Sequence, residues 1–244
     1  KAGFFTYRDQ EVDATTSESN TGLTRPLPLW PYTSSDNVNR ARNSEPAKMA
    51  FDLSIGFVDI PYRFVTVPPA EIQTRAYQNM ANGGGATFVA VGTLDQEDMT
   101  GITAARPVFK WHAEHQDLYV AQQSAARVLL IRPQGRQNNN YRGFFRILSE
   151  QHVPFAVSAN MARLQDHKWD LVIASDGAPA ELDAYGRQGG RLLVAGSGGS
   201  GLQLGKIVRR WTDTRSAYFR IQDHAIFPSL KNTQLLFLAG EYLE

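Results

Sequence analysis

Cysteine is absent from this chain. Disulfides, thiolate nucleophiles and cysteine-held metals are thereby excluded. The compartment stays open, because cytosolic and secreted proteins can both lack the residue. No apolar run reaches the ~18 residues that a membrane-spanning helix needs, and no signal-peptide pattern is visible. A soluble protein is expected, compatible with export from a bacterial cell and without a membrane as partner. Charge excess is missing too: 25 Lys and Arg stand against 24 Asp and Glu, a formal net charge of +1. With no dense basic patch, nucleic acid is not an expected partner. Arg40-Ala41-Arg42 and Arg209-Arg210 read as solvated surface.

What the chain does contain is concentrated near its start. A short β-prone run, Val12 to Thr16, leads into Ser17-Glu18-Ser19-Asn20 and then Arg25-Pro26-Leu27-Pro28-Leu29-Trp30-Pro31-Tyr32. A carboxylate for acid/base work, polar groups for hydroxyls and flat rings for pyranose faces are the residue mix of a sugar-binding cleft. An ordinary surface loop with a satisfied glutamate would read the same way.

The 244 residues are enough for one large domain or two medium ones. Residues 11–17 and 48–55 read as strands, separated by a long Pro/Asn/Ser-rich loop over 19–46. That loop is expected to carry a short helical turn through 37–42 capped by Asp36. Pro68-Pro69 starts a helix with Ile72, Ala76, Tyr77 and Met80 as its apolar stripe, stopped at Gly83-Gly84-Gly85. A strand over 86–91 follows, then a polar loop and a helix from Asp98 to Tyr119. The apolar face of that helix is read as Ile102, Ala105, Val108, Phe109, His112 and Ala113, with a kink or break at Pro107.

After a joint at 124–126 the alternation restarts. Strands are read at 127–131, 153–157, 169–174 and 191–195, with helices over 140–151, where Phe144, Phe145, Ile147 and Leu148 are apolar, and 179–188. The tail adds one or two strands, at 217–221 and 234–238. Strand–helix alternation implies parallel sheets, and the second half has a three-layer, flavodoxin-like pattern. The domains are therefore read as 1–123 and 124–244.

Several motifs are weighed and set aside. The segment 196–201 is glycine-rich and follows a strand, but it lacks the phosphate-loop spacing; a nucleotide site there is the third and weakest reading. His112 and His115 are spaced His-x-x-His, not His-Glu-x-x-His, and His112 reads as a satisfied, half-buried side chain; no metal and no cofactor are expected. Ser197 and Ser200 are not in a nucleophile elbow. The carboxylates of the first half remain. Glycoside hydrolysis uses two carboxyl groups, one of which holds a proton near neutral pH. Glu18, near Trp30 and Tyr32 in sequence, suits that acid. Glu97 and Asp98 read as helix N-terminal charges, and Asp52 as structural.

Together with Ser17–Asn20 and Arg25–Tyr32, the motifs Phe57-Val58-Asp59-Ile60-Pro61-Tyr62-Arg63, Ala81–Gly84, Gly92-Thr93-Leu94-Asp95 and Phe109-x-x-His112-x-x-His115 resemble a group of hypothetical glycoside hydrolases distantly related to family 42 β-galactosidases. The resemblance runs along nearly the whole chain. It implies the C-terminal part of a (β/α)8 barrel followed by a flavodoxin-like domain akin to class I glutamine amidotransferases, which in family 42 packs at a trimer interface. Strands 12–17, 48–55 and 86–91 would be barrel strands six to eight, with the first five outside a chain that begins at Lys1 without an initiator Met. Family 42 takes its nucleophile, a Glu, from the seventh strand, where this sequence has none. Glu18 instead resembles the acid/base of α-galactosidase-type or fucosidase-type barrels, whose Asp nucleophile would lie on the missing fourth strand.

The expectation is thus a glycoside hydrolase portion acting on a carbohydrate. Glu18 is the candidate general acid/base, and Asn20, Arg25, Trp30, Tyr32, Asp59, Tyr62, Arg63 and Asp95 are candidate substrate-binding groups. The alternative is a non-catalytic carbohydrate-binding or oligomerisation module of the same fold. In either case a homo-oligomer through the second half is an expected assembly.

Overall fold

The computed structural model describes residues 13–22, 30–133, 139–165, 169–175, 177, 180–195, 210–214, 217–218, 235–236 and 240–243, the last four segments as backbone. It is a mixed α/β structure with parallel sheets. Strand β1 (Ala14–Ser19) pairs in parallel with β2 (Met49–Ser54), Glu18 standing opposite Leu53. The strand expected over 86–91 is reduced to a single parallel bridge between Ile55 and Val89. The physical reason lies at Thr87. Its hydroxyl, not its backbone, donates to the Asp52 carbonyl and accepts from the Ser54 N–H at 3.2 Å. The ladder resumes at Val89, whose N–H donates to the Ser54 carbonyl at 2.9 Å.

One face of this strip is covered by α1 (Thr33–Ser44) and α2 (Pro69–Ala81). Successive side chains of a strand point to opposite faces. Ser17 and Ser19 turn to α1, accepting from Arg40 Nη2 at 2.8 Å and Ser34 Oγ at 2.9 Å. Asp52 and Ser54 face the helices as well, through Asn37 Nδ2 at 2.7 Å and Asn79 Nδ2 at 3.2 Å. The alternate residues Thr16, Glu18, Met49, Phe51 and Leu53 face away and are exposed or half-exposed.

The layer between strip and helices is polar and buried. Asp52 is fully buried, and burial pushes its carboxyl up from the usual range against the opposing hydrogen bonds of Asn37, Ser34 and Ser19. A raised carboxyl stabilises the fold while protonated. That contribution is complete below the unfolded value of about 3.9 and is lost as pH rises through the folded value. Asp52→Asn keeps the shape without the charge, so its stability is expected to fall less on going from acid to neutral pH than the parent's does. Urea unfolding at two pH values, one acid and one neutral, checks this; a steeper fall in the variant contradicts it.

Helix α1 corrects the sequence reading most. It runs for 12 residues, not one turn, and Asp36 is its fourth residue rather than its cap. Apolar periodicity missed it because the helix buries amides and a carboxylate: Ser34, Asp36, Asn37, Asn39 and Asn43 are buried beside only Val38 and Ala41. Arg40 and Arg42 are half-buried rather than solvated. In α2, Tyr77 is 48% exposed, and Arg75 and Asn79 take buried positions instead. Arg75 donates to the Ile55 carbonyl at 2.8 Å and pairs with Glu71 at 2.6 Å. Helix α3 (Thr100–Glu114) continues through Pro107 and buries Gly101, Ala104, Ala105 and Val108, which leaves Phe109 and Ala113 exposed. A 3-10 turn, Gln116–Leu118, follows.

In the second half β3 (Val128–Ile131), β4 (Phe155–Ser158), β5 (Leu171–Ala174) and β6 (Leu192–Val194) form a parallel sheet in the order β4-β3-β5-β6. Helix α4 (Asn139–Glu150) covers one face, setting Tyr141, Phe145 and Leu148 on Leu130, Val157 and Ile173. On the other face Leu182 of α5 (Ala180–Arg187) joins Leu129, Ile131, Val172 and Ala174. Ile147, read as part of the apolar face, is 58% exposed. Four tail strands are described: β7 (Arg210–Thr214) pairs antiparallel with β10 (Gly240–Leu243), and β8 (Ala217–Tyr218) with β9 (Leu235–Leu236). The outer pair is additional to the tail strands expected from sequence. Among the described residues no helix is long and apolar enough to cross a membrane.

Helix α1 also joins the halves. Asn39 Nδ2 donates to the Phe155 carbonyl at 3.0 Å, and its Oδ1 accepts from the Val157 N–H at 2.7 Å. Ser44 Oγ accepts from the Ala159 N–H at 3.1 Å. The buried Asp36 carboxylate pairs with Arg132 at 3.0 Å and accepts from the Tyr141 hydroxyl at 2.6 Å.

Candidate functional site

Three connections leave the C-terminal ends of the first-half strands: the segment after β1, residues 55–68 after β2, and residues 90–99 after the Val89 bridge. Parallel α/β folds place their sites at this edge. Glu18 is the penultimate residue of β1, exposed on the face away from the helices. Its carbonyl accepts from Asn37 Nδ2 at 3.3 Å, which anchors the strand end. Asn20 follows it and is exposed; Arg25 lies outside the described residues.

Trp30 and Tyr32 go elsewhere. Their ring centres lie 5.2 Å apart, and both pack on Phe145 of the second half at 5.5 and 5.8 Å. Arg142 stacks over the indole at 5.3 Å. The Tyr32 hydroxyl donates to Glu150 at 3.3 Å, and burial followed by the charge of Glu150 pushes that phenol up. These contacts account for both rings as a joint between the halves.

The loop after β2 gathers three of the other expected residues. Asp59 accepts from the Ile60 N–H at 2.7 Å and caps a 3-10 turn over Ile60–Tyr62. Tyr62 is half-exposed, and the Arg63 guanidinium lies over the Phe64 ring at 5.2 Å. Asp95 sits in the neighbouring loop, exposed, its carboxyl held below the usual range by the Thr93 hydroxyl and its own backbone N–H. Sequence reasoning missed a groove between the two loops, lined by Phe64, Gln96, Glu97 and Asp98, with a volume of about 530 Å3. The available signal was Asp98 two residues before the first turn of a helix. Its carboxylate accepts from the Thr100 N–H and also from the Thr66 N–H across the loops, both at 3.0 Å. Those bonds hold the carboxyl well below the usual range.

The two spaced histidines face aromatic rings. His115 stacks on Trp111 at 4.5 Å, and its Nδ1 meets the Trp111 carbonyl at 2.8 Å; His112 lies 4.9 Å from Tyr119. Among the described residues no group of three or more His, Asp or Glu side chains could hold a metal. The glycine-rich segment 196–201, with Ser197 and Ser200, lies outside the described residues.

Fold and edge together define an α/β protein whose polar loops gather at the C-terminal ends of parallel strands. Neither the family models nor the curated proteins give a match. Among solved structures the chain is similar to α-L-fucosidase isoenzyme 2 from Paenibacillus thiaminolyticus, with a TM-score of 0.67 over 94% of this chain at 14% identity. The chain spans 38% of the length of that enzyme. The likeness is one of fold, to part of a glycoside hydrolase that is a fucosidase rather than a family 42 β-galactosidase.

Proposed function

We propose that the chain is the C-terminal portion of a carbohydrate-active (β/α)8 hydrolase, followed by a flavodoxin-like accessory half. The fold likeness to a fucosidase over 94% of the chain carries this reading. Two features support it. Among the described residues the strip β1–β2–Val89 has helices on one face and an exposed or half-exposed face bearing Glu18 on the other, as consecutive strands of a barrel would. The order β4-β3-β5-β6 is the second-first-third-fourth order of flavodoxin-like sheets.

In this reading Glu18 is the general acid/base, and its catalytic partner is an aspartate on a strand outside the chain. Asn20, Asp59, Tyr62, Arg63 and Asp95 line the cleft mouth, Trp30 and Tyr32 brace it from the joint, and the second half carries contacts between copies. A panel of nitrophenyl glycosides that includes the α-L-fucoside tests the proposal on the full-length protein. Glu18→Gln is expected to lower the rate by about 10²–10⁴-fold. Equal rates for variant and parent would remove Glu18 from the mechanism.

A further inference from the structure

The loops after β2 and after the Val89 bridge hold large apolar side chains that the core does not use. Phe64 is 57% exposed, Tyr62 51% and Leu94 78%. Uncovered apolar groups concentrated at the ends of parallel strands mark an interaction surface. The groove lined by Phe64, Gln96, Glu97 and Asp98 runs between them, and its walls are fixed. Asp98 ties the Phe64 loop to the start of α3 through the N–H groups of Thr66 and Thr100. Gln96 donates through Nε2 to the Asp98 carbonyl at 2.9 Å. Its Oε1 lies against Gly92, where φ is +112° and a Cβ would come within 2.8 Å of that oxygen. Glycine at 92 therefore leaves room for the Gln96 carboxamide beside it.

We infer that this groove is a saccharide subsite, in which the Phe64 ring takes the C–H face of a neutral sugar and Glu97 accepts a hydroxyl hydrogen. The inference rests on the reading in Proposed function and adds a second contact region to it. Three observations carry it. An exposed ring beside a carboxylate matches a ligand with an apolar face and a rim of hydroxyls. The carboxylates of Glu97 and Asp98, with Asp95 in the same loop, outnumber the Arg63 guanidinium that lies over one face of the Phe64 ring and disfavour an anionic ligand; the other ring face is left for the sugar. The groove belongs to the loop that follows Val89, whereas Glu18 stands on β1; β1 and the Val89 segment flank β2, two strand spacings or roughly 10 Å apart. A ligand that reached across those strand ends would be longer than one sugar ring, so the groove is assigned to a unit other than the one at Glu18.

The test is calorimetric titration of lactose, cellobiose, maltose and melibiose into the full-length protein. At least one is expected to bind. Phe64→Ala is expected to weaken it on the order of tenfold, Phe64→Tyr to retain it, and Glu97→Gln to weaken it. Phe64 and Glu97 are both exposed, so melting curves of the variants should match the parent's. A disaccharide bound equally by the parent and Phe64→Ala overturns the subsite and leaves the glycosidase reading standing. Failure of all four to bind, in a protein that still hydrolyses aryl glycosides in a Glu18-dependent way, does the same. Failure of binding and of hydrolysis together overturns both.

Discussion

Asp36→Ala is expected to lower the unfolding free energy by about 3–5 kcal/mol, the cost of removing one partner from a buried ion pair. The Asp36 side chain is 1% exposed and that of Arg132 10%, and the Tyr141 side chain is fully buried. Burial pushes the Asp36 carboxyl up, opposed by Arg132 and by the Tyr141 hydroxyl. The same burial, reinforced by the neighbouring carboxylate, pushes the Tyr141 phenol well above its ordinary value. The network is thus costly to assemble and more costly to break. Truncating Asp36 takes away the carboxylate that the guanidinium and the phenol share. Asp36→Leu combined with Arg132→Leu and Tyr141→Phe removes the polar groups together, and its cost is expected to be smaller than the sum of the three single costs. Urea unfolding of the full chain measures both. A loss below about 1 kcal/mol for Asp36→Ala would mean that solvent reaches the pair and that it does not lock the halves.

Phe145→Ala is expected to cost about 3–5 kcal/mol, the range for truncating a buried aromatic ring. The ring is fully buried. It meets Phe155 edge-on at 4.9 Å and receives Trp30 and Tyr32 from the first half. The cavity therefore opens at the joint as well as in the sheet's own core. Phe145→Leu, which leaves a smaller void, is expected to lose less. Equal losses for the two variants would show that ring stacking rather than volume holds the joint.

How far the sequence reached depended on what each element buries. Over residues 127–195 the second half was readable to within about two residues at each end of a strand. Its strands are continuous apolar runs bounded by Gly, Pro and Asp, and the strand expected at 169–174 is β5 (Leu171–Ala174). Helix α1 was not readable, because Ser34, Asn37 and Asn39 bond through their side chains to β1, β2 and β4, and such pairing leaves no period in hydropathy. The strand at 86–91 was over-read for a related reason: its apolar residues are real, but the Thr87 hydroxyl takes the place of a ladder bond. For the candidate site, Glu18 at a strand end was legible from residue order alone. The destination of Trp30 was not, since its partner Phe145 is 115 positions away. The groove beside Phe64 depends on two loops meeting, and neither loop names the other.

The bonds from α1 to β4 have a consequence for assembly. An edge strand of a sheet ordinarily offers a row of free backbone groups to any strand that approaches, and natural proteins block such rows. Here the blocking is done by side chains. The amide of Asn39 answers the Phe155 carbonyl and the Val157 N–H as a neighbouring strand would, and Ser44 answers Ala159. The sheet is therefore finished on that side, and copies of this chain cannot join by extending it across β4. Any symmetric complex built through the second half must use a different surface, and Asn39→Ala would take the side-chain partners from the Phe155 carbonyl and the Val157 N–H while α1 still covers the edge.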